Sequence, residues 1–153
     1  QYRLGELDGV LQALGEEKLR SVFYLVGSAP HATSAPAGSP TPDQYPPKDP
    51  LLFAKTMAML AKRYPGVDAW QVWNEPNLPS FWRPHEDAEG YGRLLRPSVQ
   101  ALRQVVPEKP VVMGGMAYYS QMPVKGGLII EELGKLGVQR LNTVIAYQWK
   151  GGN

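Results

Sequence analysis

Val67-Asp68-Ala69-Trp70-Gln71-Val72-Trp73-Asn74-Glu75-Pro76-Asn77 decides how the rest of the chain is read. Alternating Val and Trp favour a pleated, buried strand. Pro76 removes a ladder donor and stops it. A strand over 67–75 therefore carries Glu75 at its carboxyl end, between an amide side chain and a proline. Parallel α/β folds gather their chemistry at that end of the sheet.

Working outward, the same helix–strand order recurs four times. Leu4, Leu7, Val10, Leu11 and Leu14 have helical spacing, and Ser21 to Val26 is a short apolar strand. Residues 28 to 49 hold Pro36, Pro40, Pro42, Pro46 and Pro47, which reads as a long loop, functional or mobile, or as a linker. Asp49-Pro50 is a helix cap followed by proline at the first helical position. Leu52, Phe53, Thr56, Met57, Leu60 and Ala61 then form one apolar face. Asp87 caps the next helix, with Tyr91, Leu94, Leu95, Val99, Leu102 and Val106 inward and Pro97 placed to kink or split it. Strands over 110–115 and 141–148 flank a helix over 127–136. Strands separated by single helices pair in parallel through right-handed crossovers.

The 153 residues are enough for a sizeable core. A net charge of +2 with mixed signs gives no basic stripe for nucleic acid. No apolar run is long enough to span a membrane. Gln1 opens without a charged and apolar leader, so no signal peptide is visible. With no cysteine, disulfides and thiolate metal sites are excluded. No His-x-x-His or carboxylate cluster suggests a metal, and no cofactor is expected.

Trp73-Asn74-Glu75-Pro76-Asn77 followed by Phe81-Trp82 resembles the acid/base signature of clan A glycoside hydrolases, most closely the β-xylosidase/α-L-iduronidase group and its bacterial endo-acting relatives. Ser28 to Ala32 resembles the stretch after the third strand of those enzymes, with His31 in place of Trp. Tyr91 to Leu95 resembles the start of the fourth helix, Val111 to Gly115 the fifth strand, and Val144 to Trp149 the sixth, with Tyr147 where His is frequent. The resemblance implies a retaining enzyme on a (β/α)₈ TIM barrel, of which residues 1–153 form a partial catalytic domain holding the third to sixth strands. At about 40 residues per unit, eight units need roughly 300 residues. A self-contained four-unit α/β sheet is the structural alternative. Polysaccharide degradation outside the cell or in the periplasm is the expected setting.

Retaining hydrolysis uses two carboxyl groups about 5–5.5 Å apart, one protonating the departing oxygen and one attacking the anomeric carbon. Glu75 is the candidate acid/base, best served by burial and a nearby charge. Asn74 is the candidate donor to the sugar 2-hydroxyl, which requires the strand to end or bulge there so that neighbouring side chains meet one ligand. Trp73 is a candidate apolar wall. His31, Trp82, Tyr118, Tyr147 and Trp149 are candidate sugar-binding residues, since flat rings with polar tips suit sugar faces. Asp68 sits at the wrong end of its strand. Glu86, Asp87, Glu89, Glu131 and Glu132 belong to helices. None of these follows a strand, so the pair is incomplete here. The resemblance implies that the nucleophile ends the seventh strand, which would lie beyond Asn153, and the isolated chain is expected to be silent and prone to self-association through open strand edges. A non-catalytic carbohydrate-binding or assembly module derived from a barrel is the competing reading.

Overall fold

The computed structural model describes residues 4–118 and 125–149. Four parallel strands stand side by side in chain order: β1 (Val22–Leu25), β2 (Ala69–Asn74), β3 (Val111–Tyr118) and β4 (Val144–Trp149). Each follows a helix: α1 (Gly5–Glu16), α2 (Pro50–Arg63), α3 (Ala88–Val105) and α4 (Lys125–Lys135). This α/β arrangement is consistent with part of a barrel.

Local chemistry sets the helix boundaries. The Asp49 carboxylate accepts from the Leu51 N–H at 2.8 Å, and Pro50 opens α2. Asp87 accepts from the Gly90 N–H at 2.9 Å to start α3. Pro97 does not split α3, which runs unbroken from Ala88 to Val105. Packing of its buried stripe against the core outweighs the lost ladder bond, and the Ser98 hydroxyl donates to the Leu94 carbonyl at 2.8 Å.

The helices contribute Phe53, Met57, Leu60, Leu94, Leu95, Val99, Leu102, Ile129 and Leu133 to one core, joined from the sheet by Trp70, Val72, Val111, Met113 and Met116. Each fully buried aliphatic side chain contributes about 1.5–3 kcal/mol. α1 buries no residue completely. Its Leu4, Leu7 and Leu11 lean on the core, and Asp8 ties it to α2 by accepting from the Tyr64 hydroxyl at 2.6 Å and pairing with Arg63 at 3.0 Å.

The segment 28–49 is folded on itself rather than extended. It contains a short 3-10 turn at Pro42–Gln44 and an antiparallel bridge between Thr33 and Pro47. The Ser28 hydroxyl donates to the Tyr45 carbonyl at 2.8 Å. Gln44 joins the loop to the segment after β2, accepting through its backbone and side chain from Arg83 at 2.9 and 2.7 Å. No described helix is long and apolar enough to cross a membrane.

Candidate active site

Register partners in a sheet share a face. Trp70, Val72, Val111 and Met113 form rows that face the helices. Gln71, paired with Tyr24 and Val112, points to the opposite face. Strict alternation would send Trp73 with Gln71 and Asn74 towards the helices. The structure does the reverse. Trp73 is fully buried against Phe53 of α2 and Trp82, with its indole N–H donating to the Phe81 carbonyl at 2.9 Å. Asn74 lies with Gln71.

The cause is a left-handed residue. Trp73 has φ +67° and Glu75 has φ +43°, where non-glycine side chains cost about 1–3 kcal/mol each. The left-handed step at Trp73 moves the strand on by one position, so Asn74 reaches the helix-free face at the end of β2. At the same level β3 has an irregularity in its pairing with β4, between Met113 and Met116. Glycines occupy it for lack of room. A Cβ on Gly114 would stand 3.0 Å from both the Tyr91 hydroxyl and the Val72 carbonyl, and one on Gly115 would stand 2.9 Å from the Gln148 amide nitrogen.

Glu75 is completely buried, and its backbone N–H donates to the Gly115 carbonyl at 2.9 Å. Its carbonyl accepts from the Leu78 N–H at 3.0 Å, closing a turn after the strand. Asn77 keeps the turn against β3, donating to the Ala117 carbonyl at 2.7 Å and accepting from its N–H at 3.0 Å. The Asn74 side-chain oxygen accepts from two amides, Gln71 at 3.2 Å and Gln148 at 2.8 Å. Gln71 and Gln148 were not candidates from sequence. A polar residue amid the apolar β2 stretch was the available signal for Gln71, and nothing in the β4 sequence favoured Gln148 over its aromatic neighbours.

The aromatic candidates fare unevenly. Trp82 is a core residue rather than a sugar platform. It is 2% exposed and stands edge-on between Trp73, at 5.4 Å, and Tyr91, at 5.8 Å. Trp73 is likewise core, not a wall of the site. Tyr147 pairs with the buried Met116, so its row belongs to the helix-facing side of the sheet, away from Asn74. The residue of β4 that reaches Asn74 is the next one, Gln148. His31 is exposed and lines a hollow between the end of β1 and the first turns of α2, with Ser28, Asp43 and Phe53. Tyr118 and Trp149 close β3 and β4 as register partners, and their side chains lie outside the described residues. Asp68 is structural, accepting from the Ser21 N–H at 2.8 Å and pairing with Arg20 at 3.6 Å. Among the described residues no group of three His, Asp or Glu side chains could hold a metal ion.

No family model matches the sequence, and no curated protein matches it. A monomeric β-xylosidase from Caulobacter crescentus CB15, known from its crystal structure, is similar in fold. The TM-score is 0.61 at 22% identity, over 89% of this chain. The chain spans 28% of that enzyme's length.

Proposed function

We propose that this chain carries the acid/base half of a retaining glycoside hydrolase on a (β/α)₈ barrel, of the β-xylosidase/α-L-iduronidase kind. The fold likeness to a β-xylosidase is the premise. The observation that carries the reading is the joint placement of Glu75 and Asn74 at the carboxyl end of β2, where a left-handed backbone step brings adjacent residues to one end of the strand.

In this reading Glu75 protonates the departing glycosidic oxygen while a carboxylate nucleophile takes the anomeric carbon. The resulting carboxylate of Glu75 then draws a proton from water, which releases the sugar with its configuration retained. Asn74 donates to the sugar 2-hydroxyl, a contact that strengthens in the transition state. Among the described residues Glu75 alone of the carboxylates directly follows a strand. The nucleophile is accordingly supplied from outside them, and residues 1–153 alone are catalytically silent.

One observation favours a second reading. Glu75 has no exposed surface, as a structural glutamate in a non-catalytic carbohydrate-binding module would have. Glu75→Gln in the enzyme that carries this chain separates the two. A catalytic Glu75 gives a fall of about 10²-fold or more on substrates with poor leaving groups, a smaller fall on activated ones, and an unchanged unfolding midpoint. A lowered midpoint with equal losses on both substrates would refute the assignment.

A further inference from the structure

Asn74 can serve a sugar hydroxyl in two opposite ways. Its side-chain amide has an acceptor and a donor of nearly the same shape, exchanged by a half-turn about the last side-chain bond. Which end meets the ligand depends on what holds the other. In this structure both holders are amides, and both present nitrogen. Gln148 of β4 donates from Nε2 to Asn74 Oδ1 at 2.8 Å, and Gln71 of β2 donates from Nε2 to the same oxygen at 3.2 Å. Gln71 is itself oriented, because its Nε2 also donates to the Trp73 carbonyl at 2.9 Å. That carbonyl belongs to the left-handed residue that resets the strand.

The Trp73 carbonyl is only an acceptor, so the Gln71 nitrogen must point to it. The same nitrogen then requires Asn74 to present oxygen. Gln148, from another strand, donates to the same oxygen and so takes the polarity that Gln71 sets, and it lies over Gly115 where any side chain would displace it. Asn74, Gln71 and the near part of Gln148 are buried or partly buried, where turning one amide over would set donor against donor at a cost of about 1–3 kcal/mol per unmade bond. Asn74 Nδ2 takes no part in this network.

We infer that Gln71 and Gln148 are positioning residues that fix the Asn74 amide as an obligate donor, so that the site favours ligands with a hydrogen-bond acceptor, such as a hydroxyl oxygen, at that point over ligands with none. The inference rests on the reading of Asn74 as a sugar contact only for its ligand. The orientation itself is a property of the three amides.

The test uses the isotopically labelled 153-residue chain and its side-chain amide resonances. The Gln71 and Gln148 NH₂ groups are expected to exchange slowly and to show coupling through the hydrogen bond to the Asn74 side-chain carbon, while the Asn74 NH₂ exchanges freely. Gln148→Glu replaces the donor by an acceptor and should slow Asn74 NH₂ exchange by turning that amide over. Gln148→Met removes the donor without adding charge and should speed it for Gln71. A slow Asn74 NH₂ beside fast glutamine groups in the unaltered chain overturns the inference. Titration with methyl β-xyloside and its 2-deoxy analogue reads the ligand. The unaltered chain should prefer the 2-hydroxy compound, and Gln148→Met should lower that preference about tenfold, near 1.4 kcal/mol, with affinity for the deoxy compound unchanged. Equal weakening of both would mark Gln148 as merely structural and overturn the positioning role. Binding of neither glycoside by the unaltered chain would overturn the ligand preference of this chain, and the amide exchange would still decide the orientation.

Discussion

The phenol of Tyr91, from α3, joins β2 to β3 at the point where both strands depart from regularity. It donates to the Val72 carbonyl at 2.8 Å and accepts from the Gly114 N–H at 2.6 Å. One hydroxyl thus satisfies the two backbone groups that the irregularity would otherwise leave without ladder partners. Tyr91→Phe keeps the ring against Trp82 and leaves both groups buried and unpaired. The variant should lose about 1–3 kcal/mol of stability, read as a lower urea midpoint with an unchanged slope. Gly114→Ala should also destabilise, because its Cβ meets the same hydroxyl and the Val72 carbonyl at 3.0 Å. A Tyr91→Phe midpoint equal to that of the unaltered chain would show that the bridge contributes nothing.

Burial also raises the Tyr91 pKa well above the ordinary tyrosine range, with the Gly114 N–H bond opposing it. The sign of the consequence follows from proton counting. Above about pH 10 an unfolded chain ionises this tyrosine, while the folded chain keeps the proton. The unfolded state then binds fewer protons, so stability falls as pH rises. The contribution is whole below pH 10 and lost on the way up to the folded pKa. Stability measured from pH 9 to 11.5 should decline more steeply in the unaltered chain than in Tyr91→Phe. Parallel curves would remove Tyr91 from the account.

The position of Glu75, the capping roles of Asp49 and Asp87, and the parallel order of strands were legible because each is written locally: a proline after a strand, an aspartate before a helix, a repeated helix–strand alternation. The faces of the sheet around the site were not. Period-two reasoning assigns Asn74 to the helix side, and only the left-handed Trp73 reverses it. Tryptophan carries no sequence signal for that conformation, which its packing against Phe53 and Trp82 enforces. That shift leaves Gln148, not Tyr147, facing Asn74, and Trp82 is held in the core by Trp73 and Tyr91. For Trp82 aromatic content after a strand was a poor guide, because buried rings and ligand platforms have the same composition.

Gly115 should be intolerant of substitution for a reason distinct from that of Gly114. Its missing Cβ makes room for Gln148, whose amide nitrogen and two adjoining carbons would lie 2.9–3.2 Å from an added methyl. The obstruction is a flexible side chain, so Gly115→Ala should displace Gln148 at modest cost to folding. The expected result is a small change in unfolding midpoint with loss of protection at the Gln148 NH₂ group. A large loss of stability would show that the backbone at Gly115, rather than the space for Gln148, needs glycine.

The last prediction concerns the flanks of the sheet. Among the described residues β1 pairs with β2 alone and β4 with β3 alone, so each presents an unpaired row of backbone donors and acceptors. Such edges recruit further strands unless charge or proline blunts them. Here they carry apolar side chains with more than half their surface exposed: Val22 and Tyr24 on β1, Val144, Ile145 and Tyr147 on β4. No lysine or proline interrupts either described strand. The 153-residue chain should therefore associate with rising concentration, seen as mass increasing in sedimentation or light scattering. Tyr24→Lys and Ile145→Lys put a charge on each flank, where a single strand addition would have to bury it. Together they should shift association to at least about tenfold higher concentration, corresponding to 1.4 kcal/mol, without altering the unfolding slope. An unaltered chain that stays monomeric throughout the range would show that these flanks are inert.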